Sequence, residues 1–320
     1  MKERVLLIMP KFHEYPLFIQ QGFVSLGYDV DIFFDLSTNS IYQKFKNSDR
    51  ALFKLYLQRF KSSILKSVSN VQYNKVLVIK GSGLDSSFYR QLKDFQKDAV
   101  FYMYQWDSLK NFDYLQVVSF FNKISTFDRS DYENNLKNKF NYVPLFFVSK
   151  NNYNSNKEYH VSFVGGVTLE RYEWLNKLES LLIKNKLRYY FYLYISLAQY
   201  FNLLTKGVLL NPFKLKFVSL SYYKMTDLFN KSKSVVDIAH GSQTGLTMRT
   251  FDALANSCKL ISNNSFIMKE DFYDKSNILI ISIEEEPNIE SITRFLNDPF
   301  IEVDDFDHYS VREWIKKIVS

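Results

Sequence analysis

The sequence predicts an α/β protein of two domains, each a parallel β-sheet wound with helices. The chain has 320 residues, which suits two domains better than one. Short apolar runs alternate with longer helical patterns, as in sheets whose strands are joined by crossover helices. The alternation stops in the polar, turn-forming segment 149–157 and then starts again. We therefore expect domains at 1–150 and 158–306, followed by a C-terminal helix in 307–320.

The first half opens with an apolar strand that Pro10 closes, and Gly27 suits the C-terminal cap of the helix that follows. The turn Gly81-Ser82-Gly83 comes directly after a buried strand. The expected strands are 5–9, 28–34, 76–79, 100–104, 124–127 and 142–147, with a basic helix over 40–67.

The second half repeats the pattern. A strand at 159–164 leads through the turn Gly165-Gly166 into a helix at 169–184. Further strands are expected at 235–239, 259–262 and 278–283, and helices at 247–256 and 309–318. Two such halves predict Rossmann-like domains with a ligand cleft between them.

Composition limits the class of function. Hydrophobic residues make up 46% of the chain and charged residues 23%, which indicates folded domains rather than disorder. The net charge of +7 suits an anionic partner, but the dispersed basic residues and the absence of a nucleic-acid-binding motif argue against nucleic acid. The lone Cys258 excludes an internal disulfide and a cysteine zinc cluster. No stretch has the pattern of a signal peptide or a membrane span, so we expect a cytoplasmic location.

The segment 240–261 is the most informative for chemistry. A strand ends there, a loop of small residues follows, and a helix begins near Thr247. Backbone N–H groups and the positive dipole at a helix start suit a phosphate. Arg249 and Asp252 share one helix face, where a guanidinium can hold a diphosphate and a carboxylate can accept both hydroxyls of a ribose. The alternative is a surface helix on which the two side chains only pair with each other.

The run QTGLTMRTFDAL, residues 243–254, resembles the donor-binding segment of GT-B glycosyltransferases. More narrowly, it resembles bacterial enzymes that build capsule, O-antigen (lipopolysaccharide) and other surface polysaccharides. Asp252 stands where those enzymes usually have Glu, and Thr244 stands where many have a first Glu; Ser257 and Lys259 replace a Gly and a Pro. The resemblance implies two Rossmann-like domains that face an interdomain cleft, with the C-terminal helix packing back on the first domain.

The resemblance also implies a nucleotide-sugar donor, with a UDP-sugar favoured, and an acceptor hydroxyl on a growing bacterial surface glycan or lipid-linked glycan. The strand before Gly165-Gly166 resembles the opening strand of the donor domain, where glycine lets the chain approach a diphosphate closely. The expected donor-binding residues are Gly165, Gly166, Arg171, His240, Gln243, Thr244, Gly245, Leu246, Thr247, Arg249 and Asp252.

His13 and Asp107 are the candidate catalytic residues, because each follows a predicted strand and such loops line the expected cleft. A histidine titrates near neutrality, so His13 could deprotonate an acceptor hydroxyl, and Asp107 could orient it or act as the base itself. The two positions resemble the His and Asp that some GT-B enzymes pair; the alternative is an ordinary loop histidine. No Asp-x-Asp pair lies in a loop suited to a metal, so we expect transfer without a metal or other cofactor.

Residues 184–224 are rich in aromatic and basic side chains. Such residues on one surface suit peripheral contact with the inner face of a membrane, and the alternative is that they form core strands and helices of the second domain. Two rival functions stay open at this point: a sugar-nucleotide epimerase of the same architecture, and a non-catalytic subunit that binds glycan or nucleotide.

Overall fold

The computed structural model describes residues 2–36, 50–135, 139–151, 156–239 and 243–320. The chain forms two compact units. The first comprises Met1–Leu145, Gly241–Gly245 and His308–Ser320, and the second comprises Phe146–His240 and Leu246–Asp307. Each contains a six-stranded sheet in which every described strand pairing is parallel. The predicted class of two Rossmann-like domains is therefore confirmed.

The sheet of the first unit has the strand order β2-β1-β3-β4-β5-β6. Its strands are β1 (Arg4–Met9), β2 (Asp29–Phe34), β3 (Lys75–Ile79), β4 (Val100–Gln105), β5 (Lys123–Thr126) and β6 (Phe140–Tyr142). Its helices are α1 (Tyr15–Ser25), α2 (Arg50–Val68), α3 (Ser86–Phe95) and α4 (Arg129–Asn134). The central strands are almost wholly buried, because helices cover both faces of a parallel sheet.

The second unit repeats the architecture with the order β12-β11-β10-β7-β8-β9. Its strands are β7 (Tyr159–Gly166), β8 (Tyr189–Tyr194), β9 (Leu215–Lys216), β10 (Ser232–Asp237), β11 (Lys259–Ser262) and β12 (Ile278–Ile280). Its helices are α5 (Leu169–Lys184), α6 (Leu197–Thr205), α7 (Tyr222–Asn230), α8 (Met248–Ala255) and α9 (Ile289–Asn297). Leu175, Leu178 and Leu182 of α5 are buried in the core of this unit.

The last helix, α10 (Val311–Val319), belongs to the first unit. Its Trp314 is buried and meets the ring of Tyr104 in β4 edge to face, with 4.7 Å between centroids. Gly22 of α1 lets α10 approach closely, since a Cβ there would lie 2.5 Å from Cδ1 of Ile315. Residues at the very end of the sequence thus complete a core that begins with β1.

The structure differs from the sequence prediction at several element ends, and it contains two strands, β8 and β9, that the sequence pattern does not predict. The strand predicted at 142–147 is β6, Phe140–Tyr142, because Pro144 has no N–H with which to continue the ladder. Gly165 and Gly166 do not form a turn; they end β7 and pair with Leu193 and Tyr194 of β8. Within the described ranges, no helix combines the length and apolar character that crossing a membrane requires.

Candidate functional site

Two arginines of the second unit flank the ring of buried Phe163, near the carboxyl ends of β7 and β10. The guanidinium carbon lies 5.4 Å from the ring centroid for Arg249 and 5.8 Å for Arg171. Arg171 also donates hydrogen bonds to the carbonyl oxygens of Gly166 and Ile238. The Nε of each arginine is buried without a hydrogen-bond partner, so both guanidiniums retain unused donor capacity.

Asp237, the last residue of β10, holds Arg249 in place. Its buried carboxylate forms an ion pair with Arg249 and accepts hydrogen bonds from the hydroxyls of Thr247, at 2.7 Å, and Thr250, at 2.9 Å. These bonds join the first turn of α8 to the end of β10. Asp237 lies inside the predicted strand 235–239 and was not among the expected site residues; the available signal was a lone carboxylate within that apolar run.

The charges of this cluster do not balance. Arg171 and Arg249 contribute two positive charges; buried Asp237 offsets one of them, and Glu170 acts on Arg171 from an exposed position. Burial and the neighbouring Arg249 together lower the pKa of Arg171 to about 10, while Asp237 and Glu170 oppose the shift. Both arginines are still charged at neutral pH, so an anion placed against them would relieve their mutual repulsion.

The two glycines at the end of β7 have different surroundings. A Cβ on Gly165 would lie 2.8 Å from Nη2 of Arg249 and 2.9 Å from the ring of Phe163. A Cβ on exposed Gly166 would meet no atom within 4 Å. Gly165 therefore leaves room for the Arg249 guanidinium, and the surface at Gly166 is open.

The start of α8 has no side-chain cap. Thr247 is the N-cap residue, but its hydroxyl donates to Asp237 instead of accepting from the N–H groups of the first turn. Those N–H groups and the helix dipole favour an anion at this position. His240, which the sequence analysis also assigned to donor binding, lies outside the described residues.

The carboxyl group of Asp252 does not lie at the surface, where the expected contact with a ribose would need it. It is fully buried and accepts a 2.7 Å hydrogen bond from the hydroxyl of Tyr222 in α7. Burial raises the pKa of Asp252 to about 7. In this arrangement the carboxyl group is not accessible to a ribose and instead joins α8 to α7. The alternative of a surface pair with Arg249 is also wrong, because Arg249 pairs with Asp237.

The loop before α8 is hydrogen-bonded to the buried carboxylate of Asp128, and both belong to the first unit. Asp128 accepts hydrogen bonds from the backbone N–H of Thr244 (2.8 Å) and of Gly245 (3.1 Å) and from the Thr244 hydroxyl (2.6 Å). A Cβ on Gly245 would lie 2.3 Å from the Phe127 ring, so only glycine fits there. These N–H groups are therefore occupied by Asp128, and Leu246, the next residue, is buried. No pattern in the sequence predicts the contact between Asp128 and this loop.

Asp107 follows β4 and is paired with Lys80, with 2.7 Å between the carboxylate and Nζ. It also accepts hydrogen bonds from the side-chain amides of Gln243 (2.8 Å) and Asn111 (3.0 Å). Burial opposes ionisation, but the hydrogen bonds and the charge of Lys80 outweigh it, so the pKa of Asp107 lies below its ordinary value. Asp107 is thus held as a carboxylate and is a weak base.

His13 lies on the exposed loop after β1, in the left-handed backbone region with φ 47°. Its ring meets Phe12 edge to face, and Phe12 in turn contacts Trp106, next to Asp107. The loops after β1 and β4 are therefore neighbours. Among the described residues, however, His13 and Asp107 are not hydrogen-bonded to each other, so the structure does not pair them as a dyad.

No known family model matches this sequence, and no curated protein sequence matches it either. Several solved structures are nevertheless similar to this chain. Sucrose-phosphate synthase from Thermosynechococcus elongatus is 10% identical, with a TM-score of 0.56 over 99% of this chain and 95% of that one. MurG from Acinetobacter baumannii is 10% identical, with a TM-score of 0.54 over 99% of this chain and 100% of that one. A Listeria monocytogenes protein assigned as a UDP-N-acetylglucosamine 2-epimerase is 10% identical, with a TM-score of 0.52 over 99% and 96%.

These similarities show a shared fold. The two Rossmann-like domains of the GT-B type, which the sequence resemblance implied, are confirmed. Because one fold supports several activities, the activity of this chain has to be argued from its site.

Proposed function

We propose that this chain is a glycosyltransferase that moves a sugar from a nucleotide-sugar donor, with a UDP-sugar favoured, to a hydroxyl of a bacterial surface glycan. The acceptor is a growing or lipid-linked glycan, and the enzyme works on the cytoplasmic side of the membrane. The observation that carries the proposal is the pair Arg171 and Arg249 around Phe163, with the buried carboxylate of Asp237 paired to Arg249. An excess of positive charge beside an uncapped helix start suits a diphosphate.

In the proposed reaction the acceptor oxygen bonds to the anomeric carbon of the sugar while the bond from that carbon to the diphosphate breaks. Arg249, Arg171 and the N–H groups at the start of α8 neutralise the negative charge that develops on the leaving diphosphate. The acceptor hydroxyl loses its proton to a base. We assign this role to His13, since Lys80 keeps Asp107 ionised and weakly basic. No metal is assigned a role, because the arginines supply the positive charge.

Nucleotide binding tests the site directly. Thermal unfolding would be followed with UDP, GDP, CMP, ADP and dTDP for the wild type, Arg249→Ala and Arg171→Ala. Arg294→Ala, which removes an exposed arginine of α9, is the matched control. We expect one nucleotide to stabilise the wild type and the control by about 2–3 kcal/mol near 100 times Kd, and both site variants to lose the effect. Equal stabilisation of all four proteins would place the nucleotide elsewhere and overturn the proposal.

Epimerisation is the second candidate, because a protein of this fold is assigned as a UDP-N-acetylglucosamine 2-epimerase. The two activities differ in what they need. An epimerase converts or cleaves its sugar nucleotide when no glycan acceptor is present, whereas a transferase turns over rapidly only when an acceptor hydroxyl is supplied. Product analysis of UDP-N-acetylglucosamine incubated with and without acceptor separates them. Nucleotide binding with no turnover in either case would favour the non-catalytic binding subunit.

A further inference from the structure

The second unit exposes large apolar side chains along the connection between β8 and β9 and just after β9, at one edge of its sheet. We call this surface the edge patch; it consists of Leu197 (56% exposed), Phe201 (60%), Leu209 (84%), Phe213 (92%) and Val218 (73%). The helix α6 in this connection has the sequence LAQYFNLLT, yet none of its residues is buried. Tyr200 and Leu203 pack partly against the core of the unit, whereas Leu197 and Phe201 of the same helix are left largely exposed.

Ring contacts link the two ends of the edge patch. Tyr200 in α6 packs edge to face against Phe217, which follows β9, with 5.6 Å between centroids. Phe201 and Val218 are the next residues on each side, and both are exposed. The edge patch is therefore built from segments that touch each other, not from isolated exposed side chains.

The sequence segment that forms the edge patch carries charge of one sign. Residues 184–226 contain seven basic side chains and no Asp or Glu, and seven is also the net charge of the whole chain. In the described structure, exposed Lys206, Lys216 and Lys224 have no acidic partner within ion-pair distance, whereas Lys214 is paired with Glu179. Exposed apolar side chains beside unpaired lysines are complementary to a partner that has an apolar interior and a negatively charged outer layer.

We propose that the edge patch binds the surface of an anionic lipid membrane. Phe201, Phe213 and Leu209 enter the boundary between headgroups and acyl chains, and the three unpaired lysines contact anionic headgroups. A second copy of the chain fits less well, since it would bring the same positive charge to the same contact. The choice of a lipid-linked acceptor rests on the proposed function, but lipid binding itself does not.

Vesicle sedimentation tests the proposal. The full chain is mixed with vesicles of phosphatidylcholine alone or with about 30% phosphatidylglycerol, an anionic fraction that gives a strongly negative surface. We expect the wild type to bind the anionic vesicles at least about tenfold more tightly than the neutral ones, and less tightly as salt is added. Phe201→Ser/Phe213→Ser and Lys206→Gln/Lys216→Gln/Lys224→Gln should each lower binding by about tenfold or more.

Val24→Ser/Met268→Ser is the matched control, because both side chains are about half exposed and lie outside the edge patch. It should bind like the wild type, and nucleotide-induced thermal stabilisation should be unchanged in every variant. Equal vesicle binding by all variants, or none by the wild type, would overturn the proposal. If the wild type instead forms a dimer that Phe201→Ser/Phe213→Ser dissociates, the edge patch is an interface between copies and the membrane proposal is wrong. Because nucleotide binding is read separately, neither result bears on the proposed transferase site.

Discussion

The carboxylate of Asp237, at the end of β10, forms an ion pair with the guanidinium of Arg249 at the start of α8. The same carboxylate accepts hydrogen bonds from the hydroxyls of Thr247 and Thr250. The pair is buried, with a side-chain exposure of 16% for Arg249 and 2% for Asp237. Loss of one partner from a buried ion pair leaves the other charge without compensation, and this costs more than the intact pair contributes.

A double-mutant cycle should show this coupling. We expect Asp237→Asn and Arg249→Gln each to lower the free energy of unfolding by about 2–4 kcal/mol, because each leaves a buried charge unpaired. The double variant should be less destabilised than the sum of the two by at least about 1 kcal/mol. Urea denaturation measures all four proteins. Strictly additive effects would mean that the two side chains do not interact.

Substitution of the two adjacent glycines provides a second test. Gly165→Ala should lower the free energy of unfolding by about 1–3 kcal/mol, since the added Cβ would lie 2.8 Å from Arg249 and 2.9 Å from Phe163. Gly166→Ala should change stability by less than about 0.5 kcal/mol, because its Cβ meets no atom within 4 Å. The two variants differ by one position in the same strand, so comparable destabilisation of both would contradict the crowding at Gly165.

Asp252 should make the protein less stable as the pH rises. A carboxyl group whose pKa is raised on folding, here to about 7, keeps its proton in the folded chain while the unfolded chain loses it. Its stabilising contribution is complete below about pH 4 and is lost progressively up to about pH 7. Asp252→Asn cannot titrate, so it should gain about 2.5–3 kcal/mol relative to the wild type between pH 5 and pH 8. Urea denaturation at both pH values measures this, and a constant difference between the two proteins would show that Asp252 is already ionised in the fold.

His13 should carry the acceptor proton if the proposed reaction is correct. His13→Gln should lower kcat by about 10²–10⁴-fold, the usual contribution of a general base, with little change in nucleotide affinity. Asp107→Asn should have a smaller effect on kcat, since Lys80 already holds this carboxylate ionised. Release of the free nucleotide under saturating donor reports kcat, and His308→Gln is the control histidine. If Asp107→Asn costs more than His13→Gln, the two roles are reversed.

The general fold could be predicted from the sequence because apolar strand runs and helical periodicity are local signals. Strand β8 was harder to predict, since its sequence YYFYLY is aromatic except for one leucine and does not alternate between apolar and polar residues. The orientation of α8 was harder still. The three-residue spacing predicts that Arg249 and Asp252 share one helix face. A buried helix has neighbours on several sides, however, and here Arg249 binds Asp237 while Asp252 binds Tyr222.

The contacts of Asp128 and Lys80 could not be predicted for the same reason. Asp128 meets Thr244 across 116 positions of sequence, and Lys80 meets Asp107 across 27. Each lies at or just beyond the carboxyl end of a parallel strand, where side chains from distant segments converge. The sequence indicates that such an edge is functional, but it does not indicate which distant residues meet there.

The position of α10 has a consequence for how the protein is made. Trp314 and Ile315 fill places against Tyr104 and Gly22, which were synthesised some two hundred or more residues earlier. Domains on a ribosome generally fold in the order in which they emerge. Here the first unit cannot complete its core until the second unit has been synthesised, and until then the apolar surface that α10 covers stays exposed. The domain that leaves the ribosome first is therefore the last to be completed, and a gene fragment ending at residue 145 would encode an unfinished core.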